Sequence, residues 1–281
     1  MLSTKDHSRD KAGLTYIYPV LSRRSGGLSI GINLNINNAC NWRCIYCQVP
    51  DLIRGSAPSV NIEKLASELR SFLADVIHGN FYDKEEIPVE HRVIKDIAIS
   101  GNGEPTTANE FDQVVNLIEL VLKEYGLFGK VKCVLITNGS MVGRNHVKKG
   151  LEKLSKINGE IWFKIDSATP AGIATINQVK GSNITALKRL KVAAELCPTL
   201  IQTCVFSYKN KAPDEIETNA YLQLLKATIS RNIPIKGVLL YGVERDSLQP
   251  EAKFIKKLPE SWLQDFASQI QALSIDVTVA P

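Results

Sequence analysis

Residues 28–48 read LSIGINLNINNACNWRCIYCQ, and they join an apolar, β-branched segment to a polar loop that carries three cysteines. The first part, Leu28 to Ile36, alternates apolar and polar residues and therefore predicts a β-strand. The second part supplies Cys40, Cys44 and Cys47. A strand that leads directly into a chemically reactive loop is typical of α/β enzymes, whose sites are built from loops at the carboxyl ends of strands.

The same strand pattern recurs along the chain and alternates with amphipathic helical patterns. The predicted strands are Leu28–Ile36, Val93–Ser100, Val131–Thr137, Glu160–Asp166, Leu200–Phe206 and Ile235–Tyr241. The predicted helices are Asn61–Gly79, Glu110–Tyr125, Gly143–Ser155, Asn183–Leu196, Pro213–Arg231 and Glu260–Leu273. This alternation predicts a parallel sheet with right-handed crossovers, which is either an open doubly wound sheet or a full or partial barrel.

The loops that follow the predicted strands favour a barrel. They read NACNWRCIYCQ, GNGEPTT, TNGS, DSATP, SYKNKAPD and YGVERDS, so polar chemistry follows every strand. Six contributing loops suit the mouth of a barrel better than the single crevice of a doubly wound sheet. We therefore expect an N-terminal extension over residues 1–27 and a barrel with a C-terminal helix over residues 28–281.

Composition excludes several classes of protein. With 44% hydrophobic and 22% charged residues among 281, the chain has enough apolar material for a large core. It has no apolar run near the ~18 residues of a membrane span, and its first residues lack the apolar region of a signal peptide, so we expect a cytoplasmic protein with no membrane association. The net charge of +5 permits a nucleic-acid partner without requiring one.

The three loop cysteines have the spacing C-x3-C-x2-C, which indicates a metal centre. Thiolates select zinc or iron–sulfur clusters. A closed zinc site needs a fourth protein ligand, and the nearest downstream histidine, His78, falls in a predicted helix. A [4Fe–4S] cluster usually takes four cysteines, so three would leave one iron open to another ligand. The alternative is a zinc or redox-passive cluster that staples a nucleic-acid-binding or partner-binding module.

The cysteine motif, with Tyr46 directly before its third cysteine, resembles that of the radical S-adenosylmethionine (SAM) enzymes. The resemblance implies a partial (βα)6 TIM-like barrel with one [4Fe–4S] cluster on Cys40, Cys44 and Cys47. It also implies that SAM is cleaved reductively to methionine and a 5′-deoxyadenosyl radical, which abstracts hydrogen from a substrate. Tyr46 would then pack near the adenine, and the electron would come from a donor such as flavodoxin or ferredoxin.

Three further loops extend the resemblance. Gly101-Asn102-Gly103-Glu104-Pro105 is similar to the Gly-Gly-Glu-Pro motif that holds the SAM amino group, with Asn102 as the departure. Asn138, in Thr-Asn-Gly-Ser, resembles a residue at the same position in many members, and Lys164, Asp166 and Ser167 would meet the SAM ribose and carboxylate. Two other interpretations of Lys164 and Asp166 stay open, namely a buried ion pair across the barrel and a direct role on substrate.

Within the superfamily, the segments 19–24, 31–33 and 241–250 resemble the wyosine-synthetase-related group, which includes enzymes that modify tRNA. The expected substrate is a small molecule or a peptide, with tRNA as the alternative, and Arg23, Arg24 and Arg245 are candidate substrate contacts. The wyosine enzymes hold a second cluster on cysteines upstream of the motif, and this sequence has no cysteine before Cys40. The resemblance thus implies no second cluster, and Cys133, Cys197 and Cys204 are predicted to be small buried hydrophobic residues.

Overall fold

A computed structural model of the protein describes residues 13–22 and 26–280. In this part of the chain eight strands form one sheet whose spatial order follows the chain. The strands are β1 (Ile17–Ser22), β2 (Gly27–Ile32), β3 (Ile94–Ile99), β4 (Lys132–Thr137), β5 (Gly159–Lys164), β6 (Thr199–Val205), β7 (Ile235–Gly242) and β8 (Val277–Ala280). Strands β2 to β8 are parallel, and β1 is antiparallel to β2.

Six longer helices connect or follow the parallel strands. They are α1 (Ile62–His78), α2 (Phe111–Glu124), α3 (Asn145–Lys156), α4 (Asn183–Leu196), α5 (Glu215–Ser230) and α6 (Glu260–Gln271). Each of the six predicted strands and six predicted helices overlaps one of these elements. The predicted partial (βα)6 barrel is therefore confirmed.

The two edge strands were not predicted. Strand β1 reads IYPVLS, and its proline breaks the pattern expected of a central strand, although proline is accepted at a sheet edge. Strand β8 has only four residues. Both edge strands therefore form because they pair with a neighbouring strand, and neither has a sequence pattern that strongly predicts a strand.

One large hydrophobic cluster joins one face of the sheet to the helices. Phe111 of α2, Leu65 of α1 and the strand residues Ile97, Leu135 and Ile161 are all fully buried in it. Because side chains alternate along a strand, the neighbouring residues point to the opposite, inner face of the barrel. These neighbours include Asp96, Glu160 and Trp162 as well as Val134 and Ile136, so the inner face is partly polar.

The inner face has a charged floor near the amino ends of the strands. The buried carboxylate of Glu160 accepts hydrogen bonds from Lys236 Nζ at 2.7 Å and from Trp162 Nε1 at 3.0 Å, and Lys132 Nζ lies 3.4 Å away. Burial raises the pKa of Glu160, but these three donors outweigh it and the pKa lies below its ordinary value. Among the described residues, none of the helices combines the length and apolar character that crossing a membrane requires.

Candidate active site

The cysteine loop follows β2 and is held by its own asparagines. Asn35 Nδ2 donates to the carbonyl of Ala39 at 2.9 Å, and Asn35 N–H donates to Asn33 Oδ1 at 3.1 Å. The two-residue strand 39–40 pairs in parallel with strand 53–54 and fixes both ends of the loop. Asparagine favours such local hydrogen bonds over regular structure, which explains why the predicted strand Leu28–Ile36 ends early, at Ile32.

Two of the three motif thiols accept hydrogen bonds from nitrogen donors. Trp42 N–H lies 3.4 Å from Cys40 Sγ, and Asn177 Nδ2 lies 3.3 Å from Cys44 Sγ. Burial raises the pKa of Cys40 to about 11 and that of Cys44 to about 12. Cys47 contributes to both increases, so it lies near both thiols. Since metals bind thiolates, loading this site must release protons.

The donor set fits an iron–sulfur cluster. In the described part of the chain no three His, Cys, Asp or Glu side chains are placed around one metal ion. A four-iron cluster does not need that convergence, because each thiolate binds a different iron. Three neighbouring soft ligands suit such a cluster, and the N–H donors directed at Cys40 and Cys44 add to the fit, since hydrogen bonds to sulfur tune the potential of a cluster.

The Gly101–Pro105 loop follows β3 and lies directly on the cysteine loop. A Cβ atom on Gly103 would collide with the Ala39 carbonyl and the Asn35 amide, and one on Gly101 would collide with Asn33. The absence of side chains at these two glycines therefore lets the two loops pack together. Asn102, the departure from the family motif, donates from Nδ2 to Asn38 Oδ1 at 2.6 Å.

Glu104 is the most heavily hydrogen-bonded acid of the site. Its side chain is buried, and it accepts from Thr137 Oγ1 at 2.5 Å, from Asn138 N–H at 2.6 Å and from both the hydroxyl and N–H of Thr106. Burial raises its pKa, and these hydrogen bonds oppose the increase. Glu104 therefore joins the Gly101–Pro105 loop to the loop after β4. Pro105 begins a short 3-10 helix over Pro105–Thr107.

Asn138 connects the third loop to the cysteine motif. Its Nδ2 donates to Asn41 Oδ1 at 2.9 Å, and Asn41 Nδ2 donates to Ser140 Oγ at 2.7 Å. Asn41 stands between the first two cysteines, so the loop after β4 contacts the predicted cluster loop directly. The sequence analysis had not singled out Asn41.

The carboxylate of Asp166 is the centre of a buried polar network. It accepts from Tyr46 Oη at 2.6 Å, from Asn177 Nδ2 at 2.8 Å and from Cys204 N–H at 3.1 Å. Lys164 Nζ lies 3.8 Å from Asp166. Asp166 thus reaches the cysteine motif twice, through Tyr46 and through Asn177, which also donates to Cys44.

Lys164 and Tyr46 share this network. Lys164 Nζ lies 5.0 Å from the centre of the Tyr46 ring and 3.4 Å from Tyr241 Oη. Burial lowers the pKa of Lys164, but Asp166 and Tyr241 reverse the effect and raise it well above its ordinary value. The lysine is therefore a cation at neutral pH. The Tyr46 ring packs on the Phe206 ring, with 5.5 Å between centroids. Burial and, to a lesser extent, the nearby charge of Asp166 raise the pKa of Tyr46 well above its usual value.

A cavity of about 220 Å³ adjoins this network. It is lined by the cysteine loop, the loop after β4, the end of β5 and the start of α4. Four of the residues expected to contact SAM, Asn138, Lys164, Asp166 and Ser167, line it, together with Asn41 and Trp42. The structure therefore places four of the predicted SAM contacts around one cavity.

Ser167 is also bonded to a helix outside the cavity, and Arg245 does not line the cavity. Ser167 Oγ donates to Glu217 Oε2 at 2.7 Å and is thereby tied to α5. Arg245 Nη1 donates to Gln48 Oε1 at 3.2 Å, directly after the third motif cysteine. Arg23 and Arg24 lie outside the described residues.

The sequence analysis missed a strap over the cysteine loop, formed by residues 243–251 after β7. Ser247 Oγ donates to the carbonyl of Ile45 at 2.7 Å, and Gln249 Nε2 donates to that of Val49 at 2.9 Å. Arg43, inside the motif, forms a two-point ion pair with Glu251. The resemblance had marked residues 241–250, but nothing local to that segment indicated that it would pack on the cysteines.

The other three cysteines are buried. Cys133 and Cys197 lie in the large hydrophobic cluster, and burial raises the pKa of each to about 12. Cys204 lies beside the site, packed with Ile45 and Phe206.

Comparison with known proteins gives a family. The family model of the radical SAM superfamily matches residues 34–216, well over half of the chain. Among curated proteins, the GTPase Obg of Brachyspira hyodysenteriae is 26% identical over 133 residues, which are 47% of this chain and 17% of that protein. A UPF0026 protein of Helicobacter pylori is 28% identical over 152 residues, which are 53% of this chain and 41% of that protein. The chain thus spans less than half the length of these curated relatives.

Solved structures share the fold. TYW1 with a lysine–pyruvate adduct bound has a TM-score of 0.59 at 16% identity, covering 87% of this chain and 73% of that one. SuiB of Streptococcus suis bound to its precursor peptide SuiA has a TM-score of 0.58 at 15% identity, covering 91% and 49%. A radical SAM methyltransferase from Sphaerobacter thermophilus has a TM-score of 0.59 at 11% identity, covering 93% and 68%. At these identities the likeness concerns the fold alone.

Proposed function

Because the chain belongs to the radical SAM superfamily and is an enzyme of that class, we propose that Cys40, Cys44 and Cys47 bind one [4Fe–4S] cluster. We propose further that the cavity beside them receives part of SAM. The observation that carries both assignments is a cavity whose wall combines Asn41 and Trp42, which stand between the first two motif cysteines, with Asn138, Lys164 and Asp166. When bound, a cluster held by these cysteines would supply the electron for reductive cleavage of SAM to methionine and a 5′-deoxyadenosyl radical.

The chain's own residues position the reactants. Lys164 is a partly buried cation and suits the SAM carboxylate, whereas Asp166 accepts hydrogen bonds and suits ribose hydroxyls. Glu104 fixes the relative position of the Gly101–Pro105 loop and the Asn138 loop, both of which we assign to the methionyl end. Tyr46 holds Asp166 in place and, together with Trp42 at the cavity wall, keeps water away from the reacting bond.

We test the assignment by anaerobic reconstitution with iron and sulfide. The parent chain should hold about four irons, as one [4Fe–4S] cluster requires, and should release 5′-deoxyadenosine from SAM with dithionite. Cys44→Ala should lose the iron, and the buried-core control Cys133→Ala should retain it. A colourless parent with one zinc per chain would instead support the stapled binding module. Equal iron in Cys44→Ala and the parent would refute the ligand assignment.

A separate variant tests whether the cavity binds SAM. Asp166→Asn should weaken SAM binding, measured by equilibrium dialysis on the reconstituted protein, while its iron content stays at the parental level. Glu217→Gln, which touches the cavity only through Ser167, is the matched control and should change SAM affinity far less. Equal affinity in Asp166→Asn and the parent would place SAM elsewhere.

We propose that the substrate is a small molecule or a peptide. The fold neighbours TYW1 and SuiB carry a pyruvate adduct and a precursor peptide in their structures, which are examples of these two classes. The alternative substrate, tRNA, would bind through phosphate contacts that weaken steeply with salt. Retention of bulk tRNA at low salt, together with a modified nucleoside lost from cells that lack the gene, would establish tRNA in its place.

A further inference from the structure

A basic and aromatic surface stands beside the cysteine loop and has no part in the cavity. It consists of Tyr208, Lys209, Lys211, Lys253, Phe254 and Lys256, which we call the lysine–aromatic patch. The first three follow β6 and the others follow β7, so the patch lies at the carboxyl rim of the barrel. All four lysines are exposed, and Phe254 is 39% exposed.

The patch is ordered by backbone hydrogen bonds. Tyr208 and Lys211 bond to each other through their main chains, at 2.9 and 3.1 Å, around a two-residue turn. Lys209 and Asn210 both have positive φ, at 52° and 61°, as a tight hairpin turn requires. Lys209 N–H donates to the Phe254 carbonyl at 2.8 Å, and strand 207–208 pairs with strand 255–256. The two halves therefore form one rigid surface.

The two aromatic rings lie close to the ammonium groups of Lys209 and Lys253. Tyr208 and Phe254 meet edge to face with centroids 6.3 Å apart. Lys209 Nζ lies 5.3 and 5.8 Å from the two ring centres, and Lys253 Nζ lies 5.1 Å from that of Phe254. Ammonium groups held over rings lose less freedom on binding an anion than ammonium groups on free side chains.

The positive charge of the patch is not balanced locally. In the described part of the chain none of the four lysines has a carboxylate within ion-pair distance. The neighbouring acids Glu244 and Glu251 are each engaged, by Lys257 at 2.7 Å and by Arg43. Asp246 is exposed on the same segment, and four lysines outnumber it.

The inner side of the patch reaches the cysteine motif. Tyr208 and Ile255 pack against the small hydrophobic cluster of Ile45, Cys204 and Phe206. Ile45 stands between the second and third motif cysteines. Leu248, in the strap, is 57% exposed, and its N–H donates to the Cys47 carbonyl at 2.9 Å. Apolar side chains in and beside the patch therefore contact Ile45 of the cysteine loop, and the four lysines surround this contact.

We propose that the lysine–aromatic patch docks an acidic one-electron carrier protein of the flavodoxin or ferredoxin type. This inference rests on the proposed function, because it assumes a cluster on the three cysteines. The reduced carrier is oxidised by one electron and the cluster is reduced by one, with no bond made or broken and no proton transferred. Electron-transfer complexes have small interfaces and depend on charge complementarity between the two proteins. The four lysines around the two aromatic rings provide the positive side of such an interface.

The position of the patch separates it from the substrate path. The cavity is lined by residues of the cysteine loop, of β5 and of the segment 173–189, and by no member of the patch. Docking on the patch would therefore require none of the residues that line the cavity. An RNA could also use lysines and aromatic rings, but an RNA substrate must reach the reacting centre, and none of the patch residues lines the cavity.

The first test measures binding and needs no turnover. Fluorescence anisotropy with labelled oxidised flavodoxin, and with oxidised ferredoxin, should show binding to the reconstituted chain that weakens with salt. The variant K209Q/K211Q/K253Q/K256Q should weaken it by about tenfold or more. The control K95Q/K130Q/K156Q/K226Q changes net charge equally at exposed lysines near the amino ends of the strands and should stay within about twofold. Equal weakening in both variants, or no binding of either carrier to the parent, would overturn the proposal.

The second test separates this proposal from the proposed function. With dithionite, which needs no docking surface, the patch variant should release 5′-deoxyadenosine at the parental rate, and with reduced flavodoxin it should be slower by about tenfold. Loss with both reductants, or parental rates with both, would overturn the docking site. Failure of the parent with dithionite would refute the function itself. A patch variant that loses bulk tRNA retention but keeps carrier affinity would show that the surface binds RNA.

Discussion

At the scale of single residues, the site depends on side chains that join loops and not only on those that would touch a ligand. Glu104 accepts four hydrogen bonds from two loops, and Asp166 accepts three from the cysteine motif, the 173–177 turn and β6. Buried acceptors so fully engaged are costly to change, because every donor left behind is unsatisfied.

Glu104→Gln should therefore lower the free energy of unfolding by about 1–3 kcal/mol. The amide places an N–H₂ donor where the carboxylate accepts from Asn138 N–H or from the Thr137 and Thr106 hydroxyls. Urea unfolding of the metal-free chain measures the effect without involving SAM. The exposed control Glu152→Gln should stay within ~0.5 kcal/mol, and equal stability in both variants would contradict this role of Glu104.

Glu160 gives a pH dependence whose sign follows from its lowered pKa. An unfolded glutamate titrates near pH ~4.3. A lower folded pKa means that ionised Glu160 stabilises the fold above that pH, and that this contribution disappears as the pH falls through the folded pKa.

Glu160→Gln should accordingly be less stable than the parent at pH ~7, and the difference should shrink below pH ~4. Unfolding free energies from urea titrations at several pH values measure it. If the difference stays constant down to pH ~3, the Lys132, Lys236 and Trp162 contacts do not stabilise the ionised form.

At the scale of elements, the close contact between the cysteine loop and the Gly101–Pro105 loop fixes the position of one loop relative to the other. Gly103→Ala places a methyl group against the Ala39 carbonyl, and the Ala39 backbone is joined directly to the motif cysteine Cys40. We expect a loss of about 1–3 kcal/mol in unfolding free energy from this overpacking.

Gly143→Ala is the matched substitution, because its added methyl meets nothing within 4 Å and its φ is not positive. It should be neutral or stabilising by up to about 1 kcal/mol, since alanine reduces the entropy of the unfolded chain. Both values come from thermal and urea unfolding. A Gly103→Ala chain as stable as the Gly143→Ala chain would show that the two loops separate easily.

At the scale of the whole molecule, the partial barrel is not closed, and the loops after its parallel strands meet at one rim. A ligand that contacts several of these loops should therefore stabilise all of them. SAM at a hundred times its dissociation constant should raise the free energy of unfolding of the reconstituted chain by about 2.7 kcal/mol. The midpoint of thermal unfolding, followed anaerobically, should rise by several degrees. Cys44→Ser, measured at the same SAM concentration, should show a clearly smaller shift, and an equal shift would mean that SAM binds independently of the cysteine motif.

The sequence alone determined the order of elements and the identity of the reactive loop. Alternating apolar residues in strands such as β2, and helical periodicity between the strands, are local consequences of burying one face of each element, so they are legible without coordinates. The cysteine spacing and the Gly101–Pro105 loop were legible for a similar reason, since each lies within a few residues of chain.

Tertiary structure decided everything that depends on contacts between distant segments. Asn177 and the strap residues Ser247 and Gln249 reach the cysteine motif from more than 130 residues away, and no local pattern marks an asparagine or a serine for such a contact. The close packing at Gly103 is also a tertiary contact, because the backbone that approaches it belongs to the cysteine loop. The lysine–aromatic patch exists only because β6 and β7 are neighbours, which brings the segments that follow them together at the rim. Sequence patterns report how each element buries its own apolar face, whereas a site arises where several elements end at one place.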